Sequence, residues 1–123
     1  MICVDTSVLI DLLRGNEAVT THLAGTDRER GLCYPVACEL YKGVYKSGAP
    51  EKGEREVGGL VRYLEYVEAG PAAAREFGRF KQSYPNKSEF DLMIAAITSA
   101  ADASLLTRDT DFEGLTELPV EII

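Results

Sequence analysis

The chain has 123 residues, of which 46% are hydrophobic, and this predicts a single domain over residues 1–123 with one hydrophobic core. A formal net charge of −7 argues against a broad basic face that would bind nucleic acid indiscriminately. No stretch approaches the roughly 18 consecutive apolar residues of a membrane span, and no signal-peptide pattern is found at the N-terminus, so we expect a cytoplasmic protein with no membrane partner.

The first predicted elements place an acidic residue between a strand and a helix. Ile2–Val4 is a short, apolar, β-branched run that is typical of a buried strand. Val8–Arg14 has the pattern of a helix, which ends at Gly15. Asp5 should therefore lie where the first strand ends and the first helix begins.

The rest of the chain continues to alternate between helices and strands. Further strands are predicted at Leu32–Tyr34, Tyr66–Ala69, Leu105–Thr107 and Val120–Ile123. Further helices are predicted at Glu17–Leu23, Val36–Lys46, Glu51–Tyr66, Pro71–Tyr84 and Ser88–Ala101. Such alternation indicates an α/β fold with a doubly wound, parallel sheet of four to five strands.

The cysteines give no sign of a zinc or redox motif. Cys3, Cys33 and Cys38 are odd in number, and no two of them have Cys-x-x-Cys spacing. Cys3 and Cys33 should lie on neighbouring strands as small buried side chains. We therefore expect no disulfide.

Four acidic residues are predicted to meet at one edge of the sheet. Asp5 and Asp109 each follow a strand by one or two residues, and parallel strands end at the same edge. Asp91 lies at the start of the buried helix that leads to the fourth strand, and Glu39 lies one turn into the helix after the second strand. Asp111 is a possible fifth member. Because clustered carboxylates repel one another, this pattern favours a site for a hard divalent cation.

Each of these acids also has a purely structural interpretation. Asp5 or Ser7 would cap the first helix. Ser88 and Asp91 have the spacing of a capping box, and Glu39 would be a solvated charge. The two acids after the fourth strand would be turn formers. Spacing alone leaves these alternatives open.

The ordered set of acidic motifs resembles that of PIN-domain ribonucleases, and most of all the VapC-type toxins of toxin–antitoxin pairs. The segments that carry the resemblance are Val4–Asp11, Glu39–Gly43, Phe90–Ala96 and Leu105–Phe112. They occur in the family's order and span nearly the whole chain.

The resemblance implies a three-layer α/β/α PIN-like fold and a Mg²⁺- or Mn²⁺-dependent endoribonuclease that hydrolyses RNA phosphodiesters. The catalytic metal ligands it implies are Asp5, Glu39, Asp91 and Asp109. Many relatives have Asn where Asp109 stands, so Asp109 and Asp111 both remain candidates for the direct ligand.

The resemblance also implies supporting residues and partners. Thr6 or Ser7 would steady the first carboxylate, and Thr107 would lie close to the site. The partners would be an RNA substrate and a small antitoxin, and the toxin would form a homodimer. Arg108, which flanks the fourth acidic motif, is the first candidate for RNA binding, and Arg14 is another.

Three other functions are alternatives to the toxin. A housekeeping RNA-processing PIN nuclease would carry the same acids. A non-catalytic module that binds RNA or a partner would be expected to have lost some of them. A phosphatase with Asp5 as nucleophile would need a second Asp two residues later, where Ser7 stands instead.

Overall fold

The computed structural model describes residues 1–123, and a five-stranded parallel sheet forms its centre. The strands are β1 (Ile2–Val4), β2 (Arg30–Leu32), β3 (Glu65–Tyr66), β4 (Ser104–Thr107) and β5 (Val120–Ile122). Their order across the sheet is β3-β2-β1-β4-β5, and every neighbouring pair is parallel. The predicted α/β fold with a parallel sheet is confirmed.

Helices connect the strands and complete the α/β/α architecture. They are α1 (Thr6–Leu13), α2 (Glu17–Ala24), α3 (Tyr34–Lys46), α4 (Pro50–Val61), α5 (Pro71–Ser83) and α6 (Glu89–Ala100). A 3₁₀ turn, Thr110–Phe112, follows β4. None of the helices is long and apolar enough to cross a membrane.

The centre of the sheet is fully buried. Every residue of β1 is buried, as are the last three residues of β4. Ile2–Val4 and Leu105–Leu106 are apolar because a parallel sheet with helices on both faces has no face exposed to water. Six of the twelve residues of α6 are buried, and they lie in its apolar middle.

The second strand lies two residues earlier than its predicted position at Leu32–Tyr34. Pro35 is in the first turn of α3, where its missing N–H is not needed for a helical hydrogen bond. The helix therefore begins at Tyr34, and Cys33 is its N-cap residue. The prediction that Cys3 and Cys33 lie on neighbouring strands is therefore wrong for Cys33. Both thiols are free and buried, and Cys33 Sγ lies 3.7 Å from Thr98 Oγ1.

The third strand is also displaced from its predicted position at Tyr66–Ala69. The helix α4 ends at Val61 instead of Tyr66, and β3 has only two residues. Val67 N–H still donates to the Leu32 carbonyl at 2.9 Å, but the chain must then leave the sheet because α5 begins at Pro71.

The strand order reverses between β1 and β4. From β1 the chain adds β2 and β3 on one side, and it then crosses to the other side of β1 to form β4 and β5. The Asp5 N–H donates to the Leu106 carbonyl at 2.9 Å, which holds the ends of β1 and β4 together. In open α/β sheets, ligands bind in the crevice at such a switch point.

Candidate metal centre

Asp5 lies at this switch point, directly after the central strand, and its side chain is held by two hydroxyl groups. It is only 5% exposed. Its Oδ2 accepts hydrogen bonds from Thr107 Oγ1 at 2.7 Å and from Ser7 Oγ at 3.3 Å. Although Asp5 is the N-cap residue of α1, its side chain makes no capping hydrogen bond, and Ser7 donates to Asp5 instead. The interpretation of Asp5 or Ser7 as a helix cap alone is therefore wrong.

Burial changes the acidity of Asp5. It raises the pKa of this carboxyl above its ordinary value of 3.8, because the charged form is less well solvated inside the protein. The hydrogen bonds from Thr107 and Ser7 act in the opposite direction, and the negative charge of Glu39 adds to the rise. Asp5 and Glu39 are thus close enough to interact through their charges.

Three further carboxylates form a tight group. Asp91, in the first turn of α6, and Asp109 and Asp111, after β4, each offer a carboxylate oxygen, and these oxygens lie within 4.8 Å of one another. Burial raises the pKa of Asp91, and the charges of Asp109, Asp5 and Asp111 raise it further. The structure therefore brings together the acids of the first, third and fourth motifs.

The structural interpretations of two of these acids are correct as well. Ser88 Oγ accepts a hydrogen bond from the Asp91 N–H at 3.1 Å, so Ser88 caps α6 while the Asp91 carboxylate joins the acidic group. Asp109 Oδ1 accepts from the Asp111 N–H at 2.8 Å and so forms the 3₁₀ turn. Capping and clustering are compatible here because they use different atoms of the same residues.

Ser88→Ala is expected to lower the free energy of unfolding by about 1 kcal/mol. The substitution leaves the Asp91 N–H without its side-chain partner at the start of α6. Chemical denaturation would measure the change. The matched control is Ser83→Ala, at the exposed C-terminal end of α5, which should leave stability nearly unchanged. Equal stabilities of the two variants would contradict the capping role.

The other predicted site residues surround this group. Glu39 is exposed on α3 and is not one of the three clustered acids. Thr107 Oγ1 accepts from the Asp109 N–H at 3.0 Å, so one hydroxyl connects Asp5 with Asp109. The Thr6 hydroxyl is buried and has no hydrogen-bond partner, so Thr107 and Ser7 support the Asp5 carboxylate.

Of the two predicted RNA-binding cations, Arg108 is already paired. Arg108 Nε lies 3.1 Å from Asp11 Oδ2, and its backbone N–H donates to Ser7 Oγ at 3.2 Å. Arg14 is exposed near the end of α1. No local sequence pattern indicates Asp11 as the partner of Arg108, because the two residues are far apart in the chain and only the β1–β4 contact brings them together.

The donor set fits a hard divalent cation. Asp5, Asp91, Asp109 and Asp111 offer only carboxylate oxygens, which are the ligands that Mg²⁺ and Mn²⁺ prefer. The single histidine, His22, lies elsewhere, at 3.9 Å from Glu121. The site therefore lacks the nitrogen and sulfur ligands that are typical of zinc.

Mn²⁺ affinity is expected to fall as the pH falls through the raised pKa values of Asp5 and Asp91. Both carboxyls take up protons at a higher pH than an ordinary Asp does, and a protonated ligand binds cations poorly. Titration calorimetry between about pH 5 and pH 8 would measure this. A flat profile would contradict the expectation.

In the metal-free protein, the raised pKa values of Asp5 and Asp91 make stability fall as the pH rises, whereas the affinity for metal should rise with pH. Because their pKa values are raised in the folded state, protonation stabilises the fold, and this contribution is lost as the pH rises through those values. Bound metal should therefore raise the melting temperature most at neutral pH and least in weak acid.

Comparison with known proteins agrees with this geometry. The family model of the PIN domain matches residues 2–118. A comparison with curated proteins gives no match.

Several solved structures share the fold over almost their whole length. A structure of VapBC2 from Rickettsia felis bound to a promoter DNA fragment has a TM-score of 0.91 at 20% identity, covering 100% of this chain and 99% of that one. DNA-bound VapBC from Salmonella typhimurium has a TM-score of 0.89 at 22% identity, covering 98% and 96%. Mycobacterium tuberculosis VapC20, described as a sarcin–ricin loop cleaving toxin, has a TM-score of 0.69 at 16% identity, covering 96% and 98%. Because the family model matches residues 2–118, the chain belongs to the PIN-domain family.

Proposed function

We propose that this PIN-domain protein is a divalent-metal-dependent endoribonuclease and the toxin of a VapBC-type toxin–antitoxin pair. The observation that carries the proposal is the group formed by Asp91, Asp109 and Asp111, whose carboxylate oxygens lie within 4.8 Å of one another. Bringing these charges together beside buried Asp5 is electrostatically unfavourable, and a bound cation offsets that repulsion.

The chain's own acidic residues would bind the metal ion and set the charge around it. Asp5, Asp91, Asp109 and Asp111 would hold Mg²⁺ or Mn²⁺, and Glu39 would add negative charge beside Asp5. When bound, the ion supplies a Lewis acid that neutralises phosphodiester charge and lowers the pKa of water.

Two hydroxyls beside Asp5 orient its carboxylate. The hydroxyls of Ser7 and Thr107 are both donated to the Asp5 carboxylate. These contacts support Asp5 as a metal ligand with a fixed orientation. A phosphatase of the aspartate-nucleophile class would need a second Asp at the position of Ser7.

Two cations are proposed to position the RNA. Arg14 is exposed and available to a phosphate. Arg108 would have to exchange its pairing with Asp11 for one with the substrate. Because the net charge is −7, binding should depend on the metal and on these few cations and should weaken in salt.

The proposed partners are a small antitoxin and a second copy of the chain. The proposed location of the protein is the cytoplasm. The similar VapBC structures from Rickettsia felis and Salmonella typhimurium support an antitoxin partner, and this chain covers 99% and 96% of the matched chains. An adjacent short gene whose product binds the chain would distinguish a toxin from a housekeeping RNA-processing nuclease.

The proposal is tested by incubating the purified chain with structured and single-stranded RNAs, with Mg²⁺, with Mn²⁺ and with a chelator. We expect cleavage only with metal, and the family resemblance implies 5′-phosphate and 3′-hydroxyl ends. Cleavage that persists in chelator would contradict the metal centre. RNA binding without cleavage of any RNA, together with no Mn²⁺ binding by calorimetry, would favour a non-catalytic module.

A further inference from the structure

The loop that carries Asp111 is tied to the turn between α5 and α6 by one lysine. Lys87 Nζ donates hydrogen bonds to the Asp111 carbonyl at 2.6 Å and to the Glu113 carbonyl at 3.1 Å. These two carbonyls flank Phe112, whose buried side chain anchors the 3₁₀ turn in the core. Lys87 thus fixes the backbone on both sides of that anchor.

The turn that presents Lys87 is itself well fixed. Lys81 Nζ donates to the Pro85 carbonyl at 3.1 Å and to the Lys87 carbonyl at 3.3 Å. The Lys87 N–H donates to the Tyr84 carbonyl at 3.1 Å. The Tyr84 hydroxyl donates to the Glu117 carboxylate, at 2.8 Å from Oε2, and lies 3.3 Å from the Gly114 carbonyl, just beyond the segment that Lys87 holds. The ammonium of Lys87 is therefore presented from a defined position.

Asp111 depends on this support more than the other acids do. It is exposed, whereas Asp91 is set by the helix α6, and Asp109 lies two residues after β4, where its N–H donates to Thr107 Oγ1. A groove of about 630 Å³, lined by residues 83–88 of the turn and by Asp91 and Asp111, separates the two sides. The contacts of Lys87 span the two walls of this groove.

We propose that Lys87 is a positioning residue of the metal centre, which holds the Asp111 backbone so that its carboxylate stays beside Asp91 and Asp109. This inference rests on the proposed metal-dependent function. It also makes Asp111 a ligand whose placement depends on a residue outside the four acidic motifs.

The direction of the effect separates positioning from simple electrostatics. If Lys87 acted only through its charge, removing a nearby ammonium would strengthen the binding of a cation. If Lys87 positions Asp111, removing the ammonium weakens that binding, since loss of a residue that orients a ligand typically weakens metal affinity about 10- to 100-fold.

The test is Mn²⁺ titration calorimetry of four full-length proteins. Lys87→Met should bind Mn²⁺ about tenfold or more weakly than the wild type, and its metal-free form should stay folded. Lys87→Arg should restore most of the affinity because it keeps a donor. Lys52→Met removes the same charge from an exposed site on α4 and should bind as the wild type does.

Hydrogen exchange in the metal-free protein gives a second measurement. Lys87→Met should speed amide exchange over residues 110–113, whereas Lys52→Met should leave that exchange unchanged. Equal or tighter Mn²⁺ binding by Lys87→Met, or unchanged exchange, would overturn the role of Lys87. A wild-type chain that binds no Mn²⁺ would instead overturn the metal centre itself.

Discussion

Asp5→Asn is expected to lower metal-dependent RNA cleavage by at least about 10³-fold while the protein stays folded. A metal ion contributes several kcal/mol to such reactions, and each loss of about 1.4 kcal/mol is a tenfold loss of rate. The Asn side chain keeps an oxygen that accepts from Thr107 and Ser7, so the local hydrogen bonds survive while the charge is lost. Cleavage rates at saturating Mn²⁺ would measure the effect.

Two controls make this result specific to the site. Asp27→Asn changes the same charge in an exposed loop and should cleave as the wild type does. Metal-free Asp5→Asn should be at least as stable as the wild type at neutral pH, because burial disfavours the charged carboxylate. A folded Asp5→Asn protein with full cleavage would remove Asp5 from the metal centre.

The second large effect is expected from Thr107→Val, which removes a single hydroxyl. This hydroxyl donates to Asp5 Oδ2 at 2.7 Å and accepts from the Asp109 N–H at 3.0 Å. Val has nearly the same shape but satisfies neither group. We expect Mn²⁺ affinity to fall about 10- to 100-fold and the free energy of unfolding to fall by about 1–3 kcal/mol.

The pH profile gives Thr107→Val a distinctive signature. The hydrogen bond from Thr107 lowers the pKa of Asp5, so its loss should raise that pKa further and move Mn²⁺ binding to higher pH. Thr107→Ser keeps the hydroxyl and should retain the wild-type profile, which calorimetry at several pH values would show. If the Val and Ser variants behaved alike, the hydroxyl bridge between Asp5 and Asp109 would be unimportant.

Local sequence patterns determined most of the elements. The apolar runs of β1 and β4 indicate strands buried on both faces, and the apolar run of α6 indicates a central helix, because these patterns report burial directly. Element ends were less well defined. The pattern around Pro35 predicts the end of a strand, but Pro35 lies in the first turn of α3, since a proline is compatible with either position.

The sequence by itself determined which acids follow the strands and begin the helices, and their order in the chain indicated the family. Only the tertiary structure decided how they meet. The strand order reverses beside β1, so Asp5 meets Thr107 although they are 102 residues apart.

The same reversal pairs Arg108 with Asp11, and the packing of the α5–α6 turn brings Lys87 to the carbonyl of Asp111. The physical reason is that periodicity and capping depend on neighbours along the chain. A hydrogen bond between distant segments depends instead on how the sheet and helices pack, and no local pattern records it.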